Sequence, residues 1–194
     1  MHYPLHLSFK ILTLASQLSV KDANGHLVFY VKQKLFKLKE QLTVFADEAQ
    51  TQPLYGINAD RVLDISARYN FTDNEGNPLG AVKRQGMRSL WKSHYDILDH
   101  ETPIMTIREE KGWVKVVDGL VGEIPVLGMF TGYMFHPAYL VTRLDGTVVM
   151  RLEKKPAFLE GLFELENKLP LEPREEKLVL LSILMMVILE RGRG

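Results

Sequence analysis

Near the end of the chain, the twelve residues 178–189 carry one polar side chain, Ser182. Glu175 and Glu176 stand before this stretch, Arg191-Gly192 close it, and Pro173 precedes the acids, which together are start and stop signals of a helix. A surface helix shows a polar stripe every three or four residues, so one that is apolar all round has to be enclosed. At about 1.5 Å per residue the stretch spans roughly 18 Å, short of the roughly 30 Å of a hydrocarbon layer. The sequence therefore predicts a helix over 174–191 enclosed by its own protein, with the preceding chain as the wall.

That preceding chain is patterned as paired strands. Residues 17–21 alternate, Asp22-Ala23-Asn24-Gly25 form a turn, and residues 26–31 are β-branched and aromatic, which is a hairpin signature. The unit returns three times: 68–72 with 79–83 around Asp73, 94–98 with 104–108 around Asp99, and 138–144 with 147–152 around Asp145-Gly146. Each turn opens on aspartate. Further strands are expected at 5–14, 41–46, 62–67, 113–117 and 162–166, and residues 32–39 continue the third strand through a bulge or a change of face. About twelve strands with turns every eight to twelve residues imply an antiparallel sheet, and closure into a barrel removes its edges. A barrel that wide is not filled by its own side chains, and the terminal helix is the available filler. The expected fold is mainly β, a closed antiparallel barrel of about 12 strands enclosing a hydrophobic C-terminal helix, in one domain over residues 1–194.

These hairpins, the Gly132-Tyr133-Met134-Phe135-His136-Pro137-Ala138-Tyr139 stretch, Asp145-Gly146 followed by Val148-Val149-Met150-Arg151-Leu152, and the apolar terminal helix resemble the tubby C-terminal-like superfamily. Within it the chain looks most like the LURP-one-related proteins, with the phospholipid scramblases as cousins. The resemblance implies a roughly twelve-stranded closed barrel around a central hydrophobic helix. For function it implies less: tubby-type domains bind membrane phosphoinositides through basic residues, scramblases are associated with transbilayer lipid movement, and many LURP-one-related members have no assigned activity. The chain has no cysteine, a departure from scramblases that depend on palmitoylated cysteines.

Composition narrows the function classes further. Lys plus Arg and Asp plus Glu both number 24, so no global field draws nucleic acid or an anionic membrane, and any such binding has to be local. Without cysteine there is no disulfide, thiolate metal site or thiol nucleophile. The N-terminus lacks a secretory pattern, so a cytoplasmic location is expected. Residues 119–141 are largely apolar, but Glu123, Pro125, His136 and Pro137 interrupt them, which points to loop, turn and strand rather than a transmembrane helix.

Two basic clusters are the candidate ligand-binding residues. Lys32, Lys34, Lys37 and Lys39 lie within eight residues, and Lys83, Arg84, Arg88 and Lys92 surround Gly86 and Trp91. If adjacent, they would pair with phosphate groups while Trp91 lies at a lipid interface. The competing reading is a solvated barrel exterior, where lysines discourage edge pairing. His94 and His100 flank one hairpin beside Asp99, but a metal site needs three or four converging ligands, and no metal or other cofactor is expected. No nucleophile elbow, phosphate loop, zinc-helix or dinucleotide motif is present, so the chain is expected to be non-enzymatic. The expected function is that of a binding or scaffold protein recognising anionic phospholipid at a membrane surface, or a phosphorylated ligand, through a basic surface, with a protein as a further expected partner and a structural or protein-interaction module lacking any small ligand as the alternative.

Overall fold

Alternation along the strands decides what faces inward. A computed structural model describes residues 1–12, 15–34, 41–60, 67–85, 94–110, 137–156 and 161–191. Its strands are β1 (Leu5–Leu12), β2 (Ala15–Lys21), β3 (Leu27–Lys34), β4 (Gln41–Phe45), β5 (Pro53–Ala59) and β6 (Arg68–Asp73). They continue as β7 (Pro78–Arg84), β8 (His94–Asp99), β9 (Thr102–Glu109), β10 (Ala138–Arg143), β11 (Val148–Lys155) and β12 (Gly161–Asn167). Each pairs antiparallel with the next, and β1 closes on β12 with Leu5 opposite Leu165 and Leu7 opposite Phe163. The fold is a closed twelve-stranded antiparallel barrel, as expected.

The helix α1 (Pro173–Arg191) fills it. Its apolar side chains from Leu178 to Ile188 are all buried, against Leu5, Leu7, Val20, Phe71, Ile97, Ile107, Val141 and Leu165 of the inner wall among others. Ser182 is also fully buried, and its hydroxyl donates to the Leu178 carbonyl at 2.7 Å, so the one polar group of the stretch is satisfied within the helix. Pro173 occupies the first helical position, where its missing N–H costs nothing, and Glu175 reaches back to accept from the Glu172 amide. No described helix is long and apolar enough to cross a membrane.

Antiparallel order sends connections alternately to two ends. One end, the turn end, receives the β2–β3, β4–β5, β6–β7, β8–β9 and β10–β11 turns and the link from β12 into α1. The other, the loop end, receives the remaining connections, including residues 110–137 between β9 and β10. At the turn end one device recurs. Five register shifts fall at Val20/Lys21, Val44/Phe45, Phe71/Thr72, Ile97/Leu98 and Val141/Thr142, each just before a turn carrying Asp22, Asp47, Asp73, Asp99 or Asp145. The bulge bends the strand, and in four of the turns the aspartate accepts turn amides: Asn24 and His26, Thr51 and Gln52, Glu75 and Asn77, and Thr147.

Two elements differ from the sequence pattern. The strand β5 was hidden by Pro53, Gly56 and Asn58, residues depleted in strands; Pro53 is tolerated as the first strand residue. The preceding turn contains no glycine, and Gln50 takes its positive φ of 60° instead. The strand expected at 113–117 and residues 62–66 of the one expected at 62–67 lie outside the described residues, and Ala67 precedes β6 without joining a strand.

At Gly80 the wall leaves no spare room beside the helix. A Cβ there would meet the Leu98 carbonyl oxygen at 2.3 Å and Leu178 Cδ2 at 2.7 Å. Gly80→Ala should therefore cost about 1–3 kcal/mol by overpacking, read as a lower urea midpoint at unchanged slope. Leu184→Asp should cost more than about 3 kcal/mol, because it places an unpaired carboxylate at a site 1% exposed. A soluble, cooperatively folded Leu184→Asp protein would contradict the enclosed helix.

Candidate functional site

Acidic side chains concentrate at one end of the barrel. The turns and link at the turn end hold seven acids, Asp22, Asp47, Glu48, Glu75, Glu101, Asp145 and Glu172, against one lysine, Lys168. Because the whole chain balances 24 against 24, the rest of the molecule carries six more cations than anions. The helix starts at the acidic end, where Glu175 and Glu176 sit in its first turn, so the acids face the positive pole of its dipole. Three of these carboxylates, those of Asp22, Asp47 and Asp145, accept amides of their own turns, and so does that of Asp73 at the end of β6. The Asn77 side chain, followed by the amides of Asn77 and Glu75, holds Asp73 below the usual carboxylate range.

The first basic cluster begins on the outer wall. Lys32 is exposed on β3, opposite Gln17 of β2, which is in turn opposite Lys10 of β1. Lys10 and Lys32 thus flank Gln17 in one cross-strand row, with Lys34 two residues further along β3. Lys10 was not legible from sequence spacing, because it becomes a neighbour only through strand register. Lys37 and Lys39 lie outside the described residues, in a connection that leaves from the loop end.

Strand alternation divides the second cluster. Lys83 is exposed, whereas Arg84 shares the inward phase of Val82 and stands opposite buried Tyr95. Arg68, and more weakly Lys83, hold the Glu101 carboxyl below its usual range, so Lys83 already faces an acid. Arg88, Trp91 and Lys92 lie outside the described residues, again in a loop-end connection. The strands β3 and β7 are four positions apart around the barrel, roughly 19 Å at the usual strand spacing. Among the described residues, Lys32 on β3 and Lys83 on β7 therefore lie on separate parts of the outer wall. Two other exterior cations are paired: Arg151 with Glu110 and Glu153, each at 2.9 Å, and Lys155 with Glu153 at 3.0 Å and Glu164 at 3.1 Å.

Inside the loop end a polar group surrounds the end of the helix. Tyr95 is fully buried and its hydroxyl donates to Glu190. Burial, reinforced by that hydrogen bond, pushes the phenol above its usual pKa. The Arg84 guanidinium lies 5.9 Å from the centre of the Tyr95 ring, and its Nη2 is 3.9 Å from Glu190 Oε1. Burial raises the Tyr69 hydroxyl, and the charge of Arg84 acts on it in the opposite direction. The signal for this group was present in the sequence as a cation in the apolar phase of a strand. His94 and His100, by contrast, sit at opposite ends of β8, beside Asp96 and Asp99 respectively. No group of three metal-ligating side chains occurs among the described residues.

At the opposite end the helix is pinned. Arg143 gives a two-pronged pair to Glu175, both bonds at 2.7 Å, Tyr3 donates to Glu176 at 2.8 Å, and Arg174 donates to Asp99 at 2.7 Å. These contacts fix where the helix enters the barrel.

A sequence model of the LURP-one-related family matches residues 27–168. A search of curated protein sequences found no match. Among solved structures, an Arabidopsis thaliana protein is similar at 15% identity and a TM-score of 0.49, over 98% of this chain and 92% of that one.

The Arg143 pair gives a pH dependence. Its fork holds the Glu175 carboxyl below its usual range, so the pair contributes stability above the unfolded-state value of about 4.3 and loses it as pH falls through the lower folded value. Arg143→Gln should cost up to about 1 kcal/mol at pH 7, since both partners are partly exposed. The gap from wild type in chemical denaturation should close below about pH 4.

Proposed function

We propose that this chain, which belongs to the LURP-one-related family, is a non-catalytic binding protein that uses the outer wall of β1–β3 to recognise an anionic phospholipid surface. The reading rests chiefly on the row formed by Lys10, Gln17 and Lys32, with Lys34 following on the same strand. Lysines on one face of neighbouring strands suit the flat, repeated charge of lipid headgroups better than a single compact ligand. Lys32 is exposed and has no ion-pair partner among the described residues, whereas Lys83 faces Glu101 and Arg84 turns inward. The cation excess away from the turn end favours an approach with the acidic turns held off the membrane. With no cysteine for acylation, attachment on this reading is electrostatic and reversible.

Flotation with vesicles containing phosphatidylserine or phosphoinositide, at about 0.15 M salt, tests it. Each basic residue near such a surface contributes about 1 kcal/mol, so Lys32→Glu/Lys34→Glu should reduce binding at least about tenfold. Lys83→Glu should change it little. Absence of wild-type binding, or equal loss with Lys83→Glu, would contradict the proposal and direct the search to protein partners.

A further inference from the structure

The loop-end mouth contains a buried cation whose hydrogen-bonding capacity its neighbours do not use. The Arg84 side chain is only 11% exposed, and its Nε and Nη2 have no hydrogen-bond acceptor among the described residues. Those two nitrogens belong to one edge of the planar guanidinium, where their N–H bonds run parallel. This is the edge that takes two oxygens of a carboxylate or phosphate at once. Leaving buried donors unsatisfied costs about 1–3 kcal/mol each, more when the group is charged, so the arrangement calls for an acceptor.

The obvious internal acceptor is engaged elsewhere. Glu190 takes the Tyr95 hydroxyl, and its Oε1 stands 3.9 Å from Arg84 Nη2, beyond hydrogen-bonding reach. Glu190 therefore lowers the electrostatic cost of the cation without occupying its fork. Tyr95 fixes the guanidinium from the other side through its ring, at 5.9 Å. The outer-face polar groups of β8 are engaged with one another: Asp96 accepts from Gln85 and lies 3.4 Å from His94. Below the mouth the lumen is filled, since Val187 and Ile188 are buried against the wall.

We propose that Arg84 is the anchor of a binding site for a compact oxyanion, a carboxylate or phosphate group seated on its Nε/Nη2 edge at the loop-end mouth. The site faces the lumen on β7 and is separate from the outer lysines of β1–β3. Glu190 acts within it as a built-in opponent, weakening the site by like-charge repulsion.

The test is a titration of the intact chain with inorganic phosphate and, separately, acetate, in chloride buffer at constant ionic strength. The readout is the ¹⁵N-correlated Nε–H resonance of Arg84, assigned by its disappearance in Arg84→Lys. The resonance should shift and saturate with phosphate, and more weakly with acetate. Arg84→Lys keeps the charge but loses the fork, and should weaken phosphate binding about tenfold as measured by calorimetry. Glu190→Gln keeps an acceptor for Tyr95 and should strengthen it about threefold by removing the nearby charge. Lys32→Glu/Lys34→Glu should leave the titration unchanged, which separates this site from the membrane surface proposed above. The proposal is overturned if the Arg84 resonance does not saturate, if a folded Arg84→Lys binds phosphate as wild type does, or if binding disappears with the outer lysines instead. Should Arg84→Lys fail to fold, Glu190→Gln decides alone: unchanged or weaker binding sinks the idea.

Discussion

Everything in this fold follows from the need to enclose a helix that has no polar face. Ten apolar side chains between Leu178 and Ile188 are 6% exposed or less. Burying each is worth about 1.5–3 kcal/mol, and the sum exceeds the roughly 5–15 kcal/mol by which a whole domain is stable. Leaving an intact barrel would expose all ten at once. The wall, in turn, cannot do without the helix, because a ring of twelve strands is too wide for its own side chains to fill. Gly80 shows how tight this mutual fit is, with no room for even a methyl group between Leu98 and Leu178.

Enclosure also fixes the electrostatics. A helix held along the axis of a closed barrel carries its dipole through a poorly screened interior, so what stands at each end matters more than on a surface helix. The positive end meets Glu175, Glu176 and the aspartate-led turns, and three side-chain clamps from Tyr3, Asp99 and Arg143 seat it. The negative end meets Arg84, a cation drawn inside the wall. A chain with no net charge therefore has two chemically different ends, and composition alone conceals this. The acidic end is made of turns whose carboxylates are occupied holding the backbone. The other end holds Arg84, Tyr95 and Glu190 around the end of the helix.

The sequence made the architecture legible because its strongest signals were repeated. Ser182 as the lone polar residue in twelve specified an enclosed helix, and Asp22, Asp73, Asp99 and Asp145 marked four copies of one hairpin. The structure adds a fifth copy at Asp47, which escaped notice because Gln50, rather than glycine, takes the positive φ and because Pro53 opens the next strand. Sites were harder to read. Spacing along the chain groups Lys83 with Arg84, yet a strand turns neighbours to opposite faces, so one is exterior and the other lumenal. Spacing also could not bring Lys10 beside Lys32, or Tyr95 beside Glu190, since those meetings depend on register and on where the helix ends. Fold is written in local periodicity, whereas a site is written in contacts between distant residues.

Amide hydrogen exchange over α1, followed residue by residue, tests the enclosure most directly. If the helix is the core of the barrel, the amides of residues 182–188 should exchange only through global unfolding, with protection that tracks the stability from chemical denaturation as urea is added. Exchange of those amides at free energies well below the global value, while the strand amides of β1, β8 and β12 stay protected, would show that the helix leaves an intact barrel and would contradict the account.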